Sequence, residues 1–248
     1  TYSRQFIKGI PKNFTKHKDN IIRVGYYSAD FREHAVAYLI AEVFELHDKI
    51  KFEIYAFSFG QHEGDFMRER LKKSFHEFHE VNQMSDDEIV DLSRELKIDI
   101  AVDLTGYTGD CRTGIFAQRC APLQVNFLGY PGTMGTDFYD YIIADKIVIP
   151  KNEQKFFSEK IIYLPNSYQP NFSNKLISDK VFTRQELALP EIGFIYCCFN
   201  NNYKILPATL DSWARILKSV DESVLWLLED NRNASVNLKN ELESRGVH

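Results

Sequence analysis

The chain has 248 residues, which suits one large domain or two smaller ones, because single hydrophobic cores stop growing near roughly 250 to 300 residues. Hydrophobic residues make up 44% and charged residues 26%, and this composition excludes disordered, collagen-like and disulfide-stapled classes. The 30 Lys and Arg against 35 Asp and Glu give a net charge of −5, so no broad positive surface for nucleic acid or anionic membrane is expected. No apolar run approaches the ~20 residues that span a bilayer, and the cysteines form no C-x-x-C pair. We therefore expect a cytoplasmic protein with no membrane or nucleic-acid partner.

Residues 1–20 are polar and Lys-rich without periodicity and are predicted to be a lead-in segment. Strands and amphipathic helices alternate after it. The predicted strands cover 22–27, 52–58, 77–81, 99–104, 123–128 and 141–144, and the predicted helices cover 36–44, 65–75 and 85–96. This alternation is typical of an α/β fold with a doubly wound, mostly parallel sheet.

A Pro-, Asn- and Ser-rich stretch at about 165–178 is predicted to be a crossover or linker. A second, shorter series of alternating strands and helices follows it. It has strands at 194–199 and 224–228 and helices at 207–218 and 233–244. Because a sheet of two strands cannot bury both faces, this part either docks on the first or, as we favour, continues beyond residue 248. The predicted domains are an N-terminal Rossmann-like domain with its crossover over 21–178 and an incomplete second Rossmann-like domain over 179–248.

Ligands of open α/β sheets bind beyond the carboxyl ends of strands, and four segments in such places are candidate sites. The segment after the first strand ends in His34 at a helix start, where the helix dipole favours a neutral imidazole that can act as a base. A merely exposed histidine is the alternative. The segment after the fourth strand begins with Asp103 and contains Gly106 and Gly109, which suits either close approach of a ligand or a turn capped by the carboxylate.

The third segment, 128–137, has glycines at every third position around Pro131, but it matches neither a dinucleotide fingerprint nor a P-loop. The fourth, 199–207, places Lys204 just before Pro207, a favoured first residue of a helix. A lysine beside a helix N-terminus suits a diphosphate, although a solvated lysine in an Asn-rich turn fits as well. No metal-ligand spacing is present, and His76 and His79 are interpreted as surface or strand residues.

Taken together, four blocks resemble the catalytic region of the O-GlcNAc transferase and SPINDLY-like glycosyltransferases. They are RVGYYSADFREH (23–34), AVDLTGYTGDCR (101–112), APLQVNFLGYPGTMGTDFYDYIIAD (121–145) and FNNNYKILPATLDSWARILKSV (199–220). The LGYPGT block followed by D-Y-I-I-x-D is the most specific. The resemblance implies a GT-B-like fold, in which two Rossmann-like domains face a cleft and the C-terminal one binds a nucleotide sugar. It also implies inverting transfer of that sugar to Ser or Thr of an acceptor protein, without a required metal or other cofactor.

The resemblance assigns roles residue by residue. His34 matches a histidine on the acceptor side that is a base candidate, and Asp103 is a second group that could accept the proton. Lys204 matches the lysine at the donor diphosphate, where it would stabilise the departing charge. The remaining donor-binding candidates are Asn201, Tyr203, Gly129 and Pro131.

Ala35 stands where the family commonly has proline. Neither the later His-Thr-Thr-Gly-type block nor the preceding tetratricopeptide repeats occur in these 248 residues, and we expect both in the full-length protein.

Alternative functions remain open at this point. The donor is expected to be UDP-GlcNAc, with GDP-fucose, as in a SPINDLY-like enzyme, as the alternative. A non-catalytic protein-binding module that kept the fold is a further possibility. An NAD-dependent enzyme is disfavoured, because no G-x-G-x-x-G follows the first strand.

Overall fold

The computed structural model describes residues 20–60, 64–173, 175 and 177–247. They form two compact units, with the division between residues 175 and 176. Except for Asn20, the lead-in segment 1–20 lies outside the described residues. The domain limits 21–178 and 179–248 stay predictions.

The first unit contains a parallel sheet of seven strands in the order β3-β2-β1-β4-β5-β6-β7. The strands are β1 Ile22–Ser28, β2 Phe52–Ser58, β3 Glu77–Glu80, β4 Ile100–Asp103, β5 Leu123–Asn126, β6 Tyr141–Ala144 and β7 Lys160–Tyr163. The chain adds strands on one side up to β3 and on the other side from β4 onwards, so the strand order reverses between β1 and β4. A crevice at the carboxyl ends of these two strands is where such sheets bind ligands.

Four helices cover this sheet, and a side chain that accepts a backbone N–H caps the N-terminus of three of them. They are α1 Ala35–Glu45, α2 Phe66–Lys72, α3 Asp86–Glu95 and α4 Thr113–Ala117. His34 and Asp65 accept backbone N–H groups as N-caps of α1 and α2. Ser85 and Glu88 form the predicted capping box of α3.

The core of the first unit lies on both faces of the sheet, because successive strand residues alternate between faces. Tyr26 packs in one core cluster with Phe44 of α1 and Leu71 of α2. Tyr27 packs in a second cluster with Ile89 of α3 and Phe116 of α4. The sheet is therefore covered on both sides.

The second unit is built from two βα pairs. A parallel pair of strands, β8 Ile195–Cys198 and β9 Val224–Leu227, is accompanied by helices α5 Pro207–Ser219 and α6 Arg232–Ser244. Among the described residues of this unit, the buried ones are Leu210 and Ala214, both on α5. This unit by itself has almost no core.

The structure differs from the sequence predictions at short elements. Strand β7 and the one-turn helix α4 were not predicted, because β7 is an edge strand without a buried residue and α4 has five residues and no side-chain cap. The predicted strand 123–128 ends at Asn126, since Leu128 has a positive φ of 70° that an extended strand does not adopt.

Candidate functional site

The candidate site of the first unit is organised around the neighbouring carboxyl ends of β1 and β4. Tyr27 of β1 lies opposite Asp103 of β4 in the parallel register. The loop that leads to His34 and the turn that begins with Asp103 therefore leave the sheet side by side. Thr105 Oγ1 accepts from Ala29 N at 3.4 Å and links the two.

His34 is the N-cap of α1, and its Nδ1 accepts a hydrogen bond from Val36 N at 3.3 Å. The same Nδ1 lies 3.5 Å from Oδ2 of Asp30, and the His34 side chain is 36% exposed. Nδ1 can accept from Val36 only when it carries no proton, and it can donate to Asp30 only when it does. Within the part of the chain that the structure describes, Nε2 has no hydrogen-bond partner.

Asp103 is enclosed, with 2% of its surface exposed. Its Oδ1 accepts from Thr105 N at 2.9 Å and Gly106 N at 3.0 Å, and its Oδ2 accepts from the Tyr139 hydroxyl at 2.5 Å. Burial raises the pKa of this carboxyl above its ordinary value, against the lowering effect of the Tyr139 hydroxyl and the two N–H groups. These contacts match the turn-capping alternative, and a role as proton acceptor stays a prediction.

The loop after β5 packs closely against the turn after β4. A Cβ on Gly129 would lie 2.0 Å from the Leu104 carbonyl oxygen, so only glycine allows this approach. Asn126 Nδ2 donates to the carbonyls of Tyr130 and Gly132, each at 3.0 Å. Pro131, between them, is exposed. The loop therefore presents Pro131 from a fixed backbone.

The far end of the same loop is held by Glu159, a buried carboxylate just before β7. Its Oε1 accepts from Met134 N at 2.5 Å and its Oε2 accepts from Thr133 Oγ1 at 2.7 Å. Sequence analysis missed Asn126 and Glu159 because their contacts depend on the fold. Asp30 could have been found from its spacing, since it lies four residues before His34.

In the second unit, the candidate residues follow β8 and precede α5. Lys204 ends a short 3-10 helix, Asn202–Lys204, and Pro207 is the first residue of α5. Lys204, Asn201 and Tyr203 are all exposed. Lys204 Nζ lies 5.9 Å from the centroid of the Tyr203 ring. Within residues 177–247, Lys204 forms no ion pair, so its charge faces solvent.

The structure thus brings His34, Asp103, Gly129 and Pro131 to the carboxyl edge of the first sheet. Asn201, Tyr203 and Lys204 lie together after β8 in the second unit. The described residues contain no group of three or more His, Cys, Asp or Glu arranged to hold a metal ion. His76 lies just before β3 and His79 lies within it, where His79 pairs with Glu77 at 3.1 Å. None of the described helices has the length and apolar character needed to cross a membrane.

Comparison with known proteins adds independent information. The family model described as Glycosyl transferase family 41 matches residues 5–178 and 173–248. A relative from Arabidopsis thaliana, named probable UDP-N-acetylglucosamine–peptide N-acetylglucosaminyltransferase SEC, is 33% identical over 231 residues, 91% of this chain and 24% of its own length. A relative from Solanum lycopersicum with the same enzyme name and the designation SPINDLY is 30% identical over 232 residues, 90% of this chain and 24% of its own length.

A solved structure of a mutant O-GlcNAc transferase from Thermobaculum terrenum aligns with 99% of this chain and 47% of its own, at a TM-score of 0.85 and 28% identity. This likeness confirms the expected α/β, GT-B-like fold class. The chain spans about a quarter of the length of these curated relatives.

Proposed function

The chain belongs to glycosyl transferase family 41, and on that premise we propose that it is part of an enzyme that transfers GlcNAc from UDP-GlcNAc to Ser or Thr of proteins. The transfer inverts the configuration at the anomeric carbon. The observation that carries the proposal is the position of His34, at the strand-order reversal of the first sheet and in contact with Asp30.

The acceptor half of the reaction is assigned to His34. The Ser or Thr oxygen attacks the anomeric carbon while its proton passes to a base, and Nε2 of His34 is the nitrogen left available for that proton. For Nε2 to accept it, Nδ1 must carry the other proton, so that Nδ1 donates to Asp30 and no longer accepts from Val36 N. Asp30, 3.5 Å from Nδ1, stabilises that arrangement and the imidazolium that forms. Asp103 is a second candidate, but its buried contacts support a role in shaping the turn.

The donor half is assigned to the second unit. As the bond between the anomeric carbon and the diphosphate oxygen breaks, negative charge develops on that oxygen. The exposed Lys204 and the N-terminus of α5 both supply positive potential at this segment. Asn201 and Tyr203 offer polar contacts to the nucleotide sugar. Gly129 and Pro131, which belong to the first unit, are kept as donor-binding residues because their loop matches the one that the family resemblance assigns to the donor sugar. With Lys204 in this role, the proposal needs no metal or other cofactor.

The partners in this proposal are a nucleotide sugar and an acceptor protein or peptide in the cytoplasm. The full-length protein would add tetratricopeptide repeats before this region and the rest of the donor domain after it. GDP-fucose remains the alternative donor, because the sequence resemblance includes SPINDLY-like enzymes, although the SPINDLY relative is itself named for UDP-N-acetylglucosamine.

Calorimetric titration of the chain and of the full-length protein with UDP, UDP-GlcNAc, GDP and GDP-fucose tests the donor assignment. Losing a charge-assisted contact should weaken uridine binding by roughly 10- to 150-fold in Lys204→Ala. Lys239→Ala, which removes an exposed lysine from α6, is the matched control and should bind normally. Binding of the guanosine ligands alone would reassign the donor. If the folded full-length protein binds neither base, the non-catalytic module is the better explanation.

A further inference from the structure

Arg68, in the first turn of α2, is a buried arginine that takes no part in the function proposed above. It is 4% exposed. Its Nη1 donates to the Phe31 carbonyl at 2.9 Å and to Ser58 Oγ at 3.1 Å. Its Nη2 pairs with Glu80 at 3.2 Å. One guanidinium thus joins the loop after β1, the end of β2 and the end of β3.

The N-terminus of α2 holds the His34 loop at a second point. Asp65, the N-cap of α2, accepts from Glu33 N at 2.9 Å through Oδ2 and from Arg68 N at 2.7 Å through Oδ1. The Phe31 carbonyl and the Glu33 amide, on either side of Arg32, are therefore both tied to the same helix turn. His34 is the next residue along the chain.

Charge pairing alone does not account for a guanidinium at this place. Burying a cation away from water is unfavourable unless its partners compensate for it, and an apolar side chain of similar volume often serves stability as well. The carboxylate partner, Glu80, is 55% exposed and also pairs with Lys72 at 3.0 Å. The direct main-chain contact of Arg68 goes to the loop that carries His34.

We propose that Arg68 is a positioning residue that fixes the main chain of residues 31–34 and thereby the place of the His34 imidazole relative to the acceptor hydroxyl. This proposal rests on the function proposed for His34. A planar guanidinium can reach three acceptors at once, whereas an ammonium is a single point charge on a flexible stem. Lysine at this position should therefore keep the positive charge but fail to reach all three acceptors at once.

The test uses the full-length protein with Arg68→Lys, Arg68→Met and the matched controls Arg70→Lys and Arg70→Met. Arg70 lies two residues further along the same helix, is partly exposed and pairs with Glu45 at the end of α1. Because small displacements of a reacting group can lower rates by up to about 100-fold, we expect a roughly 10- to 100-fold fall in kcat for Arg68→Lys at unchanged KM for the nucleotide sugar. The Arg70 variants should stay within about twofold.

A double-mutant cycle with His34→Ala separates positioning from a general effect on the fold. If Arg68 acts through His34, adding Arg68→Lys to His34→Ala should lower kcat no further. An equal further loss in that background, or a folded Arg68→Lys enzyme with normal kcat, would overturn the proposal.

A readout independent of activity separates this proposal from the function on which it rests. In nuclear magnetic resonance spectra, Arg68→Lys should shift the His34 ring signals and the amides of residues 32–34, and Arg70→Lys should not. Unchanged signals in Arg68→Lys would contradict positioning. Shifted signals in a protein whose His34→Ala variant retains full activity would support positioning and refute the base role of His34.

Discussion

Asp103 and Lys204 are both candidate site residues, and the two units hold them in different ways. Asp103 is 2% exposed and accepts three hydrogen bonds from the first unit. Lys204 lies exposed on a short 3-10 helix of a unit in which Leu210 and Ala214 are the buried residues among those described.

This difference separates two ways of building a site. In the first unit, the bonds that shape the site are also bonds of the core, so the site is preorganised and its substitution should lower stability. In the second unit, the candidate residues contribute little to packing, so their substitution should weaken ligand binding with little effect on stability. Both tryptophans, Trp213 and Trp226, lie in the second unit. Tryptophan fluorescence therefore reports on that unit, while far-ultraviolet circular dichroism is dominated by the larger one.

The largest expected effect is that of Asp103→Ala. It leaves the Tyr139 hydroxyl and two backbone N–H groups without their acceptor, which should lower the free energy of unfolding by about 3 to 5 kcal/mol. Urea titration followed by circular dichroism should show the loss, while the fluorescence transition stays in place. Asp91→Ala, at an exposed position of α3, is the control. Equal shifts of the circular dichroism and fluorescence transitions would show that the two units unfold together. The stability effects of Asp103 and Lys204 could then not be assigned to separate units.

The pH dependence of the same site has a definite sign. Because burial raises the pKa of Asp103, the folded state holds this proton more tightly than the unfolded state does. The stability that comes from the protonated Asp103 is fully present when the pH is below the ordinary pKa of 3.8. It is lost as the pH rises through the raised pKa of the folded state. Asp103→Asn removes this titration. The stability of the wild type relative to Asp103→Asn should therefore fall with rising pH, and a rise would contradict the burial argument.

The sequence predicted what depends on local pattern and missed what depends on distant partners. The apolar periodicity of α1 and the capping box at Ser85 are local signals, and both were confirmed. The resemblance also named the family correctly. Arg68 was missed because its partner Phe31 is 37 residues away, and Glu159 because its partner Met134 is 25 residues away. Only the folded sheet brings such pairs together.

An intermediate effect is expected for Gly129→Ala. The added Cβ would meet the Leu104 carbonyl oxygen at 2.0 Å, so the loop after β5 must move. Forced movement in a packed region typically costs about 1 to 3 kcal/mol. Gly109→Ala is the matched control, because a Cβ added at Gly109 would have no other atom within 4 Å. Equal stability of the two variants, measured by circular dichroism, would show that the loop is not held as tightly as Asn126 and Glu159 indicate.

The smallest expected change in stability is that of Lys204→Ala, and its sign is informative. A cation near a helix N-terminus is slightly unfavourable because of the helix dipole, and Lys204 lies three residues before the first residue of α5. Alanine should therefore leave the fluorescence-detected unfolding of the second unit unchanged or make it slightly more stable. The same substitution should weaken nucleotide binding. A residue that disfavours its own helix and is needed by the ligand serves function at the expense of stability, which is the opposite of Asp103. A clear loss of stability in Lys204→Ala would place Lys204 in the fold of its unit and remove the contrast between the two residues.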